Sequence, residues 1–149
     1  MKTILVAVDL SRHTDRLCTA ATDLARRDGA RLVLLHVVPP QAVALRGFGF
    51  AAAEVRSMLG ALEKREMRRL LAYAARCEKA GVTVQAILRT GVPASTILAK
   101  AASLHAALLV LGSHGHGAAY DLVVGSTTQK VLRQAKVPVL VVPLGSARG

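Results

Sequence analysis

A chain of 149 residues with 52% hydrophobic residues has the size of one domain and buries enough apolar surface to fold without a disulfide or a metal. Its four aromatic residues are too few for a base-stacking surface, and its net charge of +11 is spread over several predicted helices. We therefore expect a solvated basic surface and no specific nucleic-acid site. No run is long enough for a membrane span or a signal peptide, so the expected location is cytoplasmic.

Five short apolar runs, rich in β-branched residues, alternate with longer segments of helical period. Strands without polar alternation are covered on both faces, which is typical of a parallel sheet. The runs predict strands at residues 3–8, 31–38, 82–88, 107–111 and 138–142.

The segments between these runs predict helices. The first helix begins near Arg12 with Ser11 as its cap and ends at Gly29, the second covers about residues 51–79, and the third begins at Pro93. The apolar stripe of the second helix predicts the following inward-facing residues: Val55, Met58, Leu59, Leu62, Leu70, Ala74 and Cys77.

The fourth predicted helix follows Gly125, where Ser126 and Gln129 have the spacing of a capping box. Residues 39–50 contain two prolines, two glycines and two phenylalanines, which predicts a loop. This loop would either act as a lid over the sheet edge or pack its phenylalanines against the long helix.

The two cysteines, Cys18 and Cys77, lack the CxxC spacing of redox motifs and zinc sites. Both fall in helical patterns. The sequence therefore predicts two buried thiols.

The segment between the fourth strand and the fourth helix reads GSHG from Gly112, then nine residues, then Gly125 and Ser126. A glycine-rich loop that leads into a helix N-terminus holds phosphate through backbone N–H groups. Gly115 would let the backbone approach the phosphate oxygens. The segment predicts a nucleotide site, and the alternative is a turn followed by a capped helix.

Open parallel sheets bind ligands beyond the carboxyl ends of their strands, where the strand order reverses. The first and fourth strands are expected at the centre, which places Asp9 and Gly112 on opposite sides of one crevice. Asp9 would face a ribose or base, reach a phosphate through Mg²⁺, or cap the first helix. His114, with His116, would donate to phosphate, bind a metal, or lie exposed in the loop.

The chain has no GxxxxGK[ST] motif and no GxGxxG after the first strand. Without a phosphate-binding lysine or an evident general base, we expect nucleotide binding with at most slow ATP hydrolysis or autophosphorylation near Gly125.

Several segments resemble the universal stress protein family over nearly the whole chain: ILVAVDLS at 4–11, LHV at 35–37, GVP at 91–93, the glycine pattern at 112–126 and VPVLVV at 137–142. The glycine pattern is similar to that of the ATP-binding branch of the family.

The resemblance implies a Rossmann-like α/β fold, with one open five-stranded parallel sheet of order 3-2-1-4-5 and helices on both faces. The nucleotide-binding domain would cover residues 1–144, before a flexible tail at 145–149. The resemblance also implies a role in stress response and a homodimer that pairs its last strands, Val139–Val142.

The implied ligand is ATP, or ADP or AMP, with Mg²⁺ or Mn²⁺ as a further option at the phosphates. The resemblance implies a base and ribose site of Ala7, Asp9 and Val37, a ribose side of Leu111 and Gly112, and a phosphate site of Gly115, Gly125, Ser126 and Thr127.

This chain departs from the family pattern at three places. Ala107 stands where an Asp is usual, and Thr127 replaces a common Val. Tyr120 and Asp121 lie in a loop that is often basic, which would weaken binding of a triphosphate. The alternative function is a nucleotide-free interaction module that uses the basic surface.

Overall fold

The computed structural model describes residues 1–113 and 124–144. Strands and helices alternate along the chain in this order: β1 (Thr3–Val8), α1 (Thr14–Asp28), β2 (Arg31–Val38), α2 (Ala42–Gly47), α3 (Ala52–Lys79), β3 (Val84–Thr90), α4 (Pro93–Ser103), β4 (Leu108–Gly112), α5 (Ser126–Gln134) and β5 (Val139–Val142). The strands form one parallel sheet of order β3-β2-β1-β4-β5. The predicted fold class and strand order are confirmed.

Successive side chains of a strand point to opposite faces of the sheet. Both faces are buried because helices pack on each of them. In β1, Ile4 and Val6 pack in one core cluster with residues of α1 and α3. Leu5 packs in a second cluster with residues of α4 and α5. Full burial of each such side chain contributes about 1.5–3 kcal/mol, and it explains why β1 reads as an unbroken apolar run.

The third strand is displaced from its prediction. It runs over Val84–Thr90 instead of residues 82–88, because it pairs with β2 up to the pair Val38↔Thr90. Val82 is 6% exposed and lies in the core just before the strand. Because Val82 is buried, it extends the apolar run in the sequence, although it does not belong to the strand.

The first helix also begins later than predicted. Thr14 donates its N–H to the carbonyl of Ser11 at 3.1 Å, and His13 donates its N–H to the Ser11 hydroxyl at 3.2 Å. These bonds form a turn before the helix, so Ser11 is not its cap and Arg12 is not helical. The end of the helix is confirmed, with Gly29 in the left-handed conformation at φ 59°.

The loop prediction for residues 39–50 is wrong in part, because the short helix α2 lies within this segment. Phe48 is 83% exposed, so the packing of both phenylalanines against the long helix is also wrong. The lid function stays a prediction.

The long helix α3 begins one residue later than predicted, and Val55, Leu70 and Cys77 are buried as expected. Met58 is 41% exposed, so its inward prediction is wrong. In the part of the chain that the structure describes, no helix is both long and apolar enough to cross a bilayer.

Candidate functional site

A cleft of about 520 Å³ opens at the carboxyl ends of β1, β2 and β4, where the strand order reverses on either side of β1. This volume is in the range of small-molecule sites. Eight of the ten predicted site residues line the cleft: Ala7, Asp9, Val37, Leu111, Gly112, Gly125, Ser126 and Thr127. The other two, His114 and Gly115, lie outside the described residues, as does His116.

One side of the cleft is aliphatic. Ala7 and Val37 come from the ends of β1 and β2, Leu111 comes from β4, and Pro93 and Ile97 come from the first turns of α4. A dry slot of this kind suits a flat, weakly polar group such as a nucleobase.

The acidic side of the cleft is built on an unusual backbone conformation. Asp9 accepts the N–H of Ser11 through Oδ1 at 3.0 Å, in the turn that precedes α1. It therefore caps the turn that precedes α1, whose N-cap position belongs to His13. Leu10 follows in the left-handed region at φ 58°, which costs about 1–2 kcal/mol for a residue with a Cβ.

Two interactions offset the strain at Leu10. Its side chain is 1% exposed, and its carbonyl accepts a hydrogen bond from the Arg69 guanidinium on α3. Backbone strain is typically held at functional sites, where it orients a side chain. Here it turns the chain sharply between the Asp9 carboxylate and α1.

The polar side of the cleft is the joint between β4 and α5. The Ser113 carbonyl accepts a hydrogen bond from the Gly125 N–H at 2.8 Å, and the Ser113 N–H donates to the Val142 carbonyl at 2.9 Å. The Ser113 hydroxyl accepts a hydrogen bond from the Leu144 N–H at 3.0 Å. Thr128 donates its hydroxyl to the Gly112 carbonyl at 2.8 Å. These bonds hold the first turn of α5 over the end of β4.

The first turn of α5 suits an anion. Gly125 is the N-cap and forms no side-chain cap, and no acidic residue lies in the first turn. The capping-box prediction is wrong, because Ser126 is already helical and Gln129 donates instead to the Val124 carbonyl at 2.8 Å. The N–H groups of a first turn have no partner within the helix and carry partial positive charge.

A charged cluster on α3, which the sequence-based prediction missed, reaches the cleft through His36. Glu66 is 6% exposed and contacts Arg65 at 3.0 Å, Arg69 at 3.1 Å and His36 at 3.7 Å. His36 lines the cleft, and its Nδ1 carries a proton because it lies 2.8 Å from the Val8 carbonyl, which only accepts.

The sequence did hold a signal for Glu66. The residue lies one helical turn before the buried Leu70 and so falls on the inward stripe of α3, where an acid is out of place without partners. Ser113 and Thr128 gave no comparable signal, because their partners are backbone atoms of other elements. In residues 1–113 and 124–144, no three His, Cys, Asp or Glu side chains are arranged to bind a metal.

The model of the universal stress protein family matches residues 1–143. The chain belongs to the universal stress protein family. A universal stress protein of Thermus aquaticus is 39% identical over 142 residues, with 95% of this chain and 98% of that protein covered. One of Bacillus subtilis is 30% identical over 143 residues, with 93% and 97% covered.

A longer relative contains the same unit. In a universal stress protein of Mycobacterium tuberculosis, 32% of 139 residues are identical, and the match covers 93% of this chain but 44% of that protein.

Solved structures agree on the fold. One chain superposes with a TM-score of 0.81 at 23% identity, covering 95% of this chain and 94% of its own. A universal stress family protein of Burkholderia pseudomallei has a TM-score of 0.73 at 28% identity, with 95% and 96% covered.

Two further neighbours were solved with adenine nucleotides. A universal stress protein of Archaeoglobus fulgidus in complex with dAMP has a TM-score of 0.67 at 22% identity, covering 95% of this chain and 97% of its own. Another, in complex with cAMP, has a TM-score of 0.68 at 21% identity, with 97% and 98% covered.

Proposed function

We propose that this protein binds an adenine nucleotide, ATP first of all, in the cleft at the ends of β1 and β4. In this proposal it acts in stress response as a nucleotide-loaded homodimer of the ATP-binding branch. The observation that carries the proposal is that one cleft combines an aliphatic slot, the Asp9 carboxylate and the N-terminus of α5, whose N-cap residue is a glycine. The dAMP and cAMP complexes of two family members support it.

The nucleotide would lie along the cleft in one direction. The base would pack against Ala7 and Val37, and the ribose hydroxyls would face Asp9. The phosphates would accept hydrogen bonds from the N–H groups of Ser126 and Thr127, where the helix dipole favours negative charge. The reverse direction would place the phosphates against the Asp9 carboxylate, which repels them.

The expected affinity is micromolar. Each charge-assisted hydrogen bond contributes about 1.5–3 kcal/mol net, so three or four of them, with burial of the base, outweigh the cost of association. A Mg²⁺ or Mn²⁺ ion would be held mainly by the phosphates. Among the described residues that line the cleft, Asp9 is the carboxylate that could contribute a further oxygen ligand.

Turnover should be slow. The described residues that line the cleft include no Lys or Arg to stabilise the charge of a transferred phosphoryl group. At most, we expect slow ATP hydrolysis or autophosphorylation. Incubation with γ-labelled ATP and Mg²⁺ or Mn²⁺ would detect either one.

Titration calorimetry with ATP, ADP, AMP and adenosine tests the proposal, with Asp9→Ala beside the wild type. We expect micromolar binding of at least one nucleotide and at least tenfold weaker binding by the variant, because the ribose loses its acceptor. The matched control is Asp23→Ala, which removes an exposed carboxylate from α1 and should leave the affinity unchanged. No binding at millimolar nucleotide would overturn the proposal.

A second candidate function is a nucleotide-free interaction module. Its specific support is a groove of about 590 Å³ between α3 and the end of β3. The groove is lined by the apolar Met67 and Leu88, by three basic residues, Lys64, Arg68 and Arg89, and by one acid, Glu63. This surface suits an acidic partner. Protein purified without bound nucleotide, together with capture of an acidic partner that salt abolishes, would favour this function over the first.

A further inference from the structure

The only two cysteines of the chain meet in the core. Cys18 on α1 and Cys77 on α3 are 5% and 4% exposed, and their thiols are joined by a hydrogen bond. They are distant in the sequence and lie on different helices. The prediction of two buried thiols is confirmed, but no sequence pattern indicated that they touch.

The packing of α1 on α3 brings the two thiols together. Ala21 and Ala74 share their core cluster, and Cα atoms of the two helices approach within 8 Å. Small side chains permit this approach. An ion pair between Asp15 and Arg76 holds the same two helices together beside the cysteines. A disulfide needs the two Cα atoms within about 7 Å, which close packing of two helices favours.

The two thiols differ in acidity. The hydrogen bond from Cys18, with a second one from Thr22, lowers the pKa of Cys77 to about 6, although burial acts in the opposite direction. The same contact with Cys77, together with burial, raises the pKa of Cys18 well above its ordinary value. Cys77 is therefore the more acidic thiol of the pair, and Cys18 is the less acidic one. This is the division between an attacking thiolate and a resolving thiol.

We infer that Cys18 and Cys77 form a redox-active dithiol, which hydrogen peroxide closes into an intramolecular disulfide between α1 and α3. The inference does not depend on nucleotide binding. Hydrogen peroxide is the chosen oxidant because it is small and uncharged, and thus suits sulfur atoms of residues that are only 4–5% exposed. A bulky oxidant such as glutathione disulfide would not reach them.

The chemistry proceeds in two steps. The Cys77 thiolate attacks one oxygen of the peroxide, the O–O bond breaks, and hydroxide leaves to give a sulfenic acid. The Cys18 sulfur then attacks Cys77 Sγ, the S–O bond breaks, and the departing hydroxide leaves as water with the Cys18 proton. In total the two cysteines lose two protons and two electrons, and one peroxide is reduced to two waters once the hydroxide of the first step takes up the proton that Cys77 had released.

The test treats the reduced full-length protein with a small excess of hydrogen peroxide under native conditions. The protein is then denatured, labelled with N-ethylmaleimide and measured by intact mass spectrometry. We expect both thiols to disappear together, with a loss of two hydrogens, a monomer band on a non-reducing gel and a tryptic peptide that joins Cys18 to Cys77. Dithiothreitol should reverse the change, and the oxidised protein should melt at a higher temperature.

A conservative pair of variants tests the part played by the hydroxyl of Thr22. Thr22→Val keeps the side-chain shape but removes the hydrogen bond to Cys77, so disulfide formation should be several-fold slower. Thr19→Val makes the same change at an exposed position of α1 and should leave the rate unchanged.

Single-cysteine variants define the failure of the inference. Cys18→Ala should let peroxide add oxygen to Cys77, with no loss of two hydrogens. The inference is overturned if both thiols of the wild-type protein stay fully labelled after peroxide treatment. It is also overturned if the disulfide joins two chains or if oxygen addition replaces it.

Discussion

Leu10 connects the acidic side of the cleft with the long helix. Its left-handed backbone is held in place by burial of its side chain and by the hydrogen bond from Arg69, which in turn is oriented by Glu66. Removing the guanidinium would leave the Leu10 carbonyl without this donor, in a conformation that is costly by itself.

Arg69→Met tests this connection. The Arg69 side chain is 46% exposed, so the expected loss of unfolding free energy is only about 1 kcal/mol, to be measured as a lower urea midpoint at unchanged m-value. Nucleotide affinity should fall as well, because Asp9 precedes Leu10. The neighbouring Arg68→Met, at an exposed position, is the control, and equal effects of the two variants would refute the connection.

At the level of single residues, the sequence could predict which residues lie at the end of a strand. It could not predict contacts between side chains of one element and the backbone of another. Asp9 and Gly112 each follow an apolar run, so their meeting at one edge follows from the geometry of a parallel sheet. Arg69 is different. Its place on a basic helix predicts a solvated side chain, and only the tertiary packing of α3 brings it to the Leu10 carbonyl.

Helix α5 offers a test at the level of an element. Ser126→Asp would place a carboxylate in the first turn, which holds no acidic residue and where the helix dipole favours negative charge. The stability of the protein should therefore stay equal or rise slightly. The same carboxylate would repel a phosphate. In calorimetry, ATP should bind at least tenfold more weakly, while the affinity for adenosine should change by less than a factor of about three.

The control for this variant is Ser95→Asp. It makes the same substitution in the first turn of α4, at an exposed residue that does not line the cleft. ATP affinity should then be unchanged. Equal loss of ATP and adenosine by Ser126→Asp would contradict the placement of phosphates at α5.

Element boundaries show where periodicity stops being informative. The ends of β1 and β2 were predicted correctly, since both strands are buried on two faces. For β3, an edge strand with exposed Gln85 and Arg89, pairing with β2 determined the ends instead. Periodicity also missed α2, whose six residues are too short for a helical stripe.

For the whole molecule, the alternation of buried strands and helices predicted the parallel sheet, but only the family resemblance implied its order. The most apolar runs indicated that the first and fourth strands lie at the centre, but they contain no information on the order of the remaining strands. The order matters because it creates two edges of opposite character. The β3 edge carries the polar residues Gln85, Arg89 and Thr90, whereas the β5 edge consists of Val139–Val142 alone.

An aliphatic edge strand exposes unpaired backbone groups and invites pairing with a second copy, so β5 is the edge at which we expect the homodimer to form. Leu140 lies in this strand and is 38% exposed. Leu140→Lys would bring two like charges close together in an antiparallel pair, which disfavours association. Sedimentation equilibrium should therefore show a dimer of 15.6 kDa chains for the wild type and a monomer for the variant. Leu71→Lys, at a 51% exposed position of α3, should stay dimeric, and a monomeric wild type would show that β5 does not pair.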